Sequence, residues 1–136
     1  MKRLAIHLSI LFFVAYTFTQ CKVEGGSSIR SDVVLNLTDW NLPDTVHAST
    51  PFDITLKSTI NNACTHNLRF IIGKLDDYNY KVYAYALYEN INGEFCSEIV
   101  VLKDTVISKT LRPAGKYYFF FLKDDTFNKD SVIVIP

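Results

Sequence analysis

Phe52-Asp53-Ile54-Thr55-Leu56-Lys57-Ser58-Thr59-Ile60 changes character at every residue. Phe52, Ile54, Leu56, Ser58 and Ile60 fall on one side of an extended chain, with Asp53, Thr55, Lys57 and Thr59 on the other. Successive side chains of a strand point to opposite faces, so this period of two marks a half-buried β-strand. The Asn61-Asn62 pair is expected to end it. On either side, further strands are expected at Val33–Leu42, Leu68–Leu75, Tyr80–Glu89, Phe95–Leu102, Val106–Leu111, Lys116–Lys123 and Ser131–Ile135. Turn chemistry separates them, at Leu42-Pro43-Asp44, Asp76-Asp77, Asn90-Ile91-Asn92-Gly93, Lys103-Asp104, Arg112-Pro113-Ala114-Gly115 and Lys123-Asp124-Asp125. No segment beyond position 31 carries a helical stripe. Seven or eight short strands at this spacing predict an all-β, antiparallel sandwich over 32–136.

Composition agrees. The chain has 136 residues, 49% of them hydrophobic and 14% aromatic, enough for one packed domain and too apolar for disorder. Five Gly and four Pro exclude a collagenous or low-complexity chain. Fourteen basic residues balance fourteen acidic ones, which argues against nucleic acid as a partner, since such domains carry a cationic excess.

Pro113-Ala114-Gly115-Lys116-Tyr117-Tyr118-Phe119 resembles the corner leading into strand F of immunoglobulin-like domains. The resemblance implies that Gly115 permits the turn and that the Tyr117 hydroxyl bonds back to the corner backbone. Phe119 stands where antibody domains place their second Cys, so any disulfide here is not the usual bridge between strands B and F. The expectation is therefore an immunoglobulin-like or fibronectin III-like sandwich.

The N-terminus reads as an address. Lys2 and Arg3 precede an apolar run from Leu4 to Tyr16. As a helix that run would rise about 20 Å, too short for a hydrocarbon core of about 30 Å. Residues 1–20 are expected to be a secretory signal, the alternative being a short uncleaved anchor. Thr17-Phe18-Thr19-Gln20-Cys21 resembles the lipobox of bacterial lipoproteins, with Phe18 in place of the usual Leu and Gln20 in place of a small residue. The resemblance implies diacylglyceryl attachment and acylation at Cys21, and thus an exported protein held on a membrane by its acyl chains. Ordinary cleavage leaving Cys21 as a thiol is the alternative. Residues 21–31, with Gly25-Gly26-Ser27-Ser28, read as a flexible tether. Without Lys2 and Arg3, 12 basic residues face 14 acidic ones, so no net cationic attraction to lipid is expected.

Three Cys are an odd number for an exported chain. With Cys21 acylated, Cys64 and Cys96 remain as an even pair for a disulfide in an oxidising compartment, the alternative being two buried thiols.

Catalytic chemistry is not evident. His47 and His66 lie in separate polar segments, and Cys64 near His66 would suit copper or zinc only if its thiol were free. Asp76-Asp77 and Asp124-Asp125 read as solvated turns rather than converging carboxylates. No metal or cofactor is expected. Tyr78, Tyr80, Tyr83, Tyr85 and Tyr88 crowd one strand, with Tyr83 and Tyr85 on one face and Tyr80 and Tyr88 on the other. They are either a packed strand or a binding surface for protein or sugar. Asp-Ser/Thr-aliphatic triplets at Thr45, Thr105 and Ser131 resemble the O-glycosylation acceptor of some diderm bacteria. The sequon Asn36-Leu37-Thr38 matters only in a eukaryotic host. The functional expectation is a non-catalytic, lipid-anchored binding or assembly module of a bacterial envelope, whose partner is another envelope protein or a glycan. An enzyme inhibitor or immunity-type protein, and a carbohydrate- or small-ligand-binding lipoprotein, are the alternatives.

Overall fold

The computed structural model describes residues 28–136; the predicted signal, Cys21 and most of the tether lie outside the described residues. Nine strands follow in order: β1 (Ile29–Leu35), β2 (Leu37–Asn41), β3 (Thr45–His47), β4 (Phe52–Asn62), β5 (Thr65–Lys74), β6 (Asn79–Asn90), β7 (Glu98–Lys109), β8 (Gly115–Lys123) and β9 (Thr126–Ile135). They form two sheets, an all-β sandwich. One sheet has the order β2-β4-β7; the other has six strands, with β5 on one side of β6 and β1 and β8 on its other side, followed by β9 and β3.

The period-two reading of β4 holds along the whole strand. Ile54, Leu56, Ser58 and Ile60 are buried, and the Ser58 hydroxyl donates to the Asn36 carbonyl at 2.7 Å, so its burial leaves no orphan donor. From the facing sheet, β6 contributes Tyr80, Val82, Ala84 and Ala86, and β8 contributes Tyr117, Phe119 and Phe121. Large and small side chains alternate across that inner face: Ala84 lies opposite Leu35 on one side and Phe70 on the other. Trp40 of β2 stacks flat on Phe121, centroids 4.5 Å apart, and its indole N–H donates to Asp130 of β9 at 3.1 Å. One side chain thus joins both sheets.

Four expectations about elements are corrected. Val33–Leu42 is two strands, because the chain changes sheets at Asn36. The side chain of Asn36 donates to Asp125 Oδ1 at 2.9 Å and accepts from the Asp125 N–H at 3.1 Å, fixing that crossing to the β8–β9 turn. Asn61-Asn62 does not stop β4, which absorbs the irregularity as a bulge between Ile60 and Asn62. Lys103-Asp104 is not a turn: both pair with β4, opposite Ser58 and Lys57, and β7 runs unbroken from Glu98 to Lys109. The strand begins at Ile29, so Ile29 to Ser31 belong to the sheet rather than the tether. With the short β3 added, the count is nine.

The corner forms as its sequence suggests. Gly115 has φ +155°, and a Cβ there would lie 3.0 Å from the Tyr78 ring. The buried Tyr117 hydroxyl donates to the Pro113 carbonyl at 2.8 Å. Two pairings are parallel, β3 with β9 and β6 with β8, so the sandwich is mostly rather than wholly antiparallel. The parallel β6/β8 pair departs from the purely antiparallel sheets of immunoglobulin domains.

Candidate binding surfaces

The tyrosine cluster divides. Tyr80 points into the core, stacked against Phe119 at 5.1 Å, and Tyr78 leans over the corner with its ring 5.0 Å from Tyr117. Tyr88 sits beside the disulfide, its hydroxyl 3.6 Å from Cys96 Sγ. Only Tyr83 and Tyr85 remain on the outer face, half-buried between neighbouring strands. The five do not form one site.

That outer face gathers residues from five strands. Alternation places Tyr118 and Phe120 of β8 outward while Tyr117, Phe119 and Phe121 go inward. The cations sit on the aromatic rings: Lys129 Nζ is 3.6 Å from the Tyr118 centroid, with Lys116 5.6 Å from the same ring, and Lys81 Nζ lies 4.3 Å above Phe127. Arg69 lies opposite Tyr85, and Arg30 opposite Glu89. Two shallow depressions open here. One of about 410 Å³ is lined by Arg30, Asp32, Asn67, Arg69 and Tyr85 among others, and one of about 330 Å³ by Lys116, Tyr118, Lys129, Asp130 and Ser131.

The second surface is the edge of β7, which among the described residues pairs with β4 alone. Val100 is 81% exposed and Leu102 62%, and the preceding loop presents Phe95 at 89%. Ile91, Ile99, Val101 and Val106 add to the same exposed apolar run. The Cys64–Cys96 disulfide, Cα atoms 5.4 Å apart, fastens this loop to the β4–β5 turn. Backbone bonds from Ala63 N–H to the Ser97 carbonyl (2.9 Å) and from Glu89 N–H to the Cys64 carbonyl (2.8 Å) support it. Lys103 turns inward and donates to the Leu68 carbonyl of β5 at 2.9 Å.

The remaining titratable residues stand apart. His47 Nδ1 lies 3.2 Å from the Pro136 carbonyl, and His66 Nε2 is 3.4 Å from Glu89 Oε2. Among the described residues no three of His, Cys, Asp and Glu cluster as metal ligands. Asp76 is a turn residue: its carboxylate accepts from the Tyr78 N–H at 2.9 Å and from the Asn79 amide at 2.8 Å, and these bonds, the backbone one first, lower its pKa. Asp77 pairs with Lys74 at 2.7 Å and raises the ammonium's pKa. Asp124 and Asp125 adopt left-handed conformations in the β8–β9 turn. Of the three O-glycosylation triplets, Thr45 is exposed, Ser131 is half-buried, and Thr105 is half-buried opposite the core residue Leu56.

No family model, curated protein or solved structure matches the chain.

Proposed function

We propose that the protein is a non-catalytic, lipid-anchored module of a bacterial envelope that binds another envelope protein along the free edge of β7. The observation that carries this reading is the exposed apolar run Ile99–Leu102, with Phe95 exposed on the loop before it, beside unpaired strand backbone. Proteins normally blunt such edges, because a long apolar edge templates pairing with any extended chain. An added strand would satisfy the backbone and cover the side chains together.

Self-pairing centred on Lys103 or Asp104 is disfavoured, which favours a different chain over a second copy as the partner. Across a two-fold axis, facing residues of antiparallel strands must point to the same side of the sheet, so the axis passes through a residue position. Centred on Lys103, self-pairing sets that lysine against its own copy; centred on Asp104, it opposes two carboxylates. The order Glu98, Lys103, Asp104, Lys109 matches opposite charges only when the pairing is centred between Lys103 and Asp104, a register a two-fold axis cannot produce. Like charges directly opposite destabilise a strand pair.

The lipobox-like Cys21 supports the anchor, and the Tyr117 corner supports grouping the sandwich with immunoglobulin-like domains despite the parallel β6/β8 pair. Intact mass from native membranes tests the first: a chain starting at Cys21 and carrying acyl groups is expected, and an unmodified thiol there would refute it. The edge is tested with a photo-crosslinking side chain at Val100, and separately at Lys57 on the outer face of β4. Adducts to an extended segment of one envelope protein are expected from Val100, and they should disappear with Leu102→Asp. Equal adducts from Lys57, or none from Val100, would sink the proposal.

A further inference from the structure

The near-neutral composition conceals a charge division. The outer face of the six-stranded sheet, with the depressions that open on it, carries Arg30, Arg69, Lys81, Lys116 and Lys129 against Asp32, Glu89 and Asp130. The other described residues hold six cations and ten acids. One broad surface is therefore net +2 on a body that is otherwise net −4. The absence of a cationic excess, read from the whole chain, does not describe this face.

We infer that this face is a binding site for an acidic polysaccharide, independent of the β7 edge. Its two depressions repeat one arrangement, two cations and one carboxylate around a tyrosine, net positive in each: Arg30 and Arg69 with Asp32 and Tyr85, and Lys116 and Lys129 with Asp130 and Tyr118. Tyr118 lies level with Asn79, so the two tyrosines stand six residues apart along β6, about 20 Å at roughly 3.3 Å per residue. Lys81 sits between them. A linear chain with repeated carboxylates can lie across both ends at once, and linked contacts add avidity without tight binding at either. Tyrosine supplies hydroxyls that donate to and accept from sugar hydroxyls.

Two features select the acidic class. The Lys129 ammonium lies 3.6 Å over Tyr118, occupying the ring face that a neutral sugar would stack upon. A carboxylate would instead meet the ammonium and leave the cation–π contact in place. Two separate depressions suit a discrete chain better than a featureless bilayer surface.

The test uses the full chain in non-ionic detergent, probed with polygalacturonate and with neutral dextran, and the Cys21→Ala chain without detergent, probed with vesicles containing phosphatidylglycerol. At about 20 mM salt, polygalacturonate is expected to bind and dextran not, with binding weakening steeply towards about 200 mM. Arg69→Glu combined with Lys129→Glu is expected to weaken binding at least about tenfold while circular dichroism stays native. Lys57→Glu, a single charge reversal on the opposite sheet and half the change in net charge, is expected to leave binding unchanged, whereas Arg69→Glu alone is expected to weaken it. Equal loss with Lys57→Glu would reduce the effect to net charge and overturn the site. So would dextran binding equally, no polygalacturonate binding at low salt, or vesicle binding alone.

Discussion

Removing the bridge tests how the apolar loop is held. The perturbation is Cys64→Ala with Cys96→Ala. The disulfide closes 33 residues, counting both cysteines. In the chain-entropy account, opening such a loop frees about 12.5 cal/mol/K in the unfolded ensemble, or about 3.7 kcal/mol at 25 °C. For a body of this size, that corresponds to a fall in melting temperature of about 15 °C. The core does not pass through the bridge, so the variant is expected to keep a native near-ultraviolet spectrum. Urea unfolding followed by circular dichroism gives the magnitude, and hydrogen exchange gives the location. The amides of Ala63 and Glu89, which bond to Ser97 and Cys64 carbonyls beside the bridge, are expected to lose protection first. A stability loss below about 1 kcal/mol, with those amides still protected, would refute the reasoning.

Two further outcomes follow from the core. Phe121→Ala is expected to cost about 3–5 kcal/mol, because the ring is fully buried against Trp40; Trp40 is the single tryptophan, so its emission should shift red, and an unshifted spectrum with a loss below about 1.5 kcal/mol would contradict the packing. The Tyr117 phenol has a raised pKa, from burial first and then from Tyr78 and Tyr80. Its folded state holds the proton longer than the unfolded state does, so stability is complete below the ordinary phenol pKa of about 10 and falls as pH rises through the folded value. Alkaline melting curves should show this decline, and Tyr117→Phe should flatten it.

Much of the fold was legible because its strands are half-buried, and alternation of residue type writes burial directly into sequence. β4 announces its inner face this way, whereas β6 and β8, apolar or aromatic on both faces, announce only that they are strands. The corner was readable for a different reason: its geometry depends on Gly115 and Tyr117 at fixed spacing. The edge strand was not. Lys103-Asp104 has turn composition, yet an edge strand tolerates charges because its outer side chains stay solvated while its backbone pairs with β4. The basic face was hidden by the sheet order. Nothing local in Arg30, Arg69 or Lys129 says that β1, β5 and β9 lie near β6, although Lys116, Tyr118 and Phe120 alternate with the buried aromatics of β8. The tyrosines divide as period-two alternation requires, Tyr83 and Tyr85 to one face and Tyr80 and Tyr88 to the other, and only the packing of the sheets says which face is the outer one.

β1 has a mechanical consequence. Among the described residues it is the first strand and pairs with β6 alone, through seven facing residues from Ile29 to Leu35. Any force arriving through the chain before Ser28 enters there. Pulled along its own axis, β1 loads all its cross-strand bonds together and resists; pulled across the sheet, it opens one pair at a time from the Ile29–Asn90 end. At the far end the paired bonds between Asn36 and Asp125 act as a stop, since beyond them the chain enters the core at Leu37. Tension would therefore spend itself first on β1, a fuse whose release lengthens the molecule while leaving the packed sandwich behind Asn36 in place.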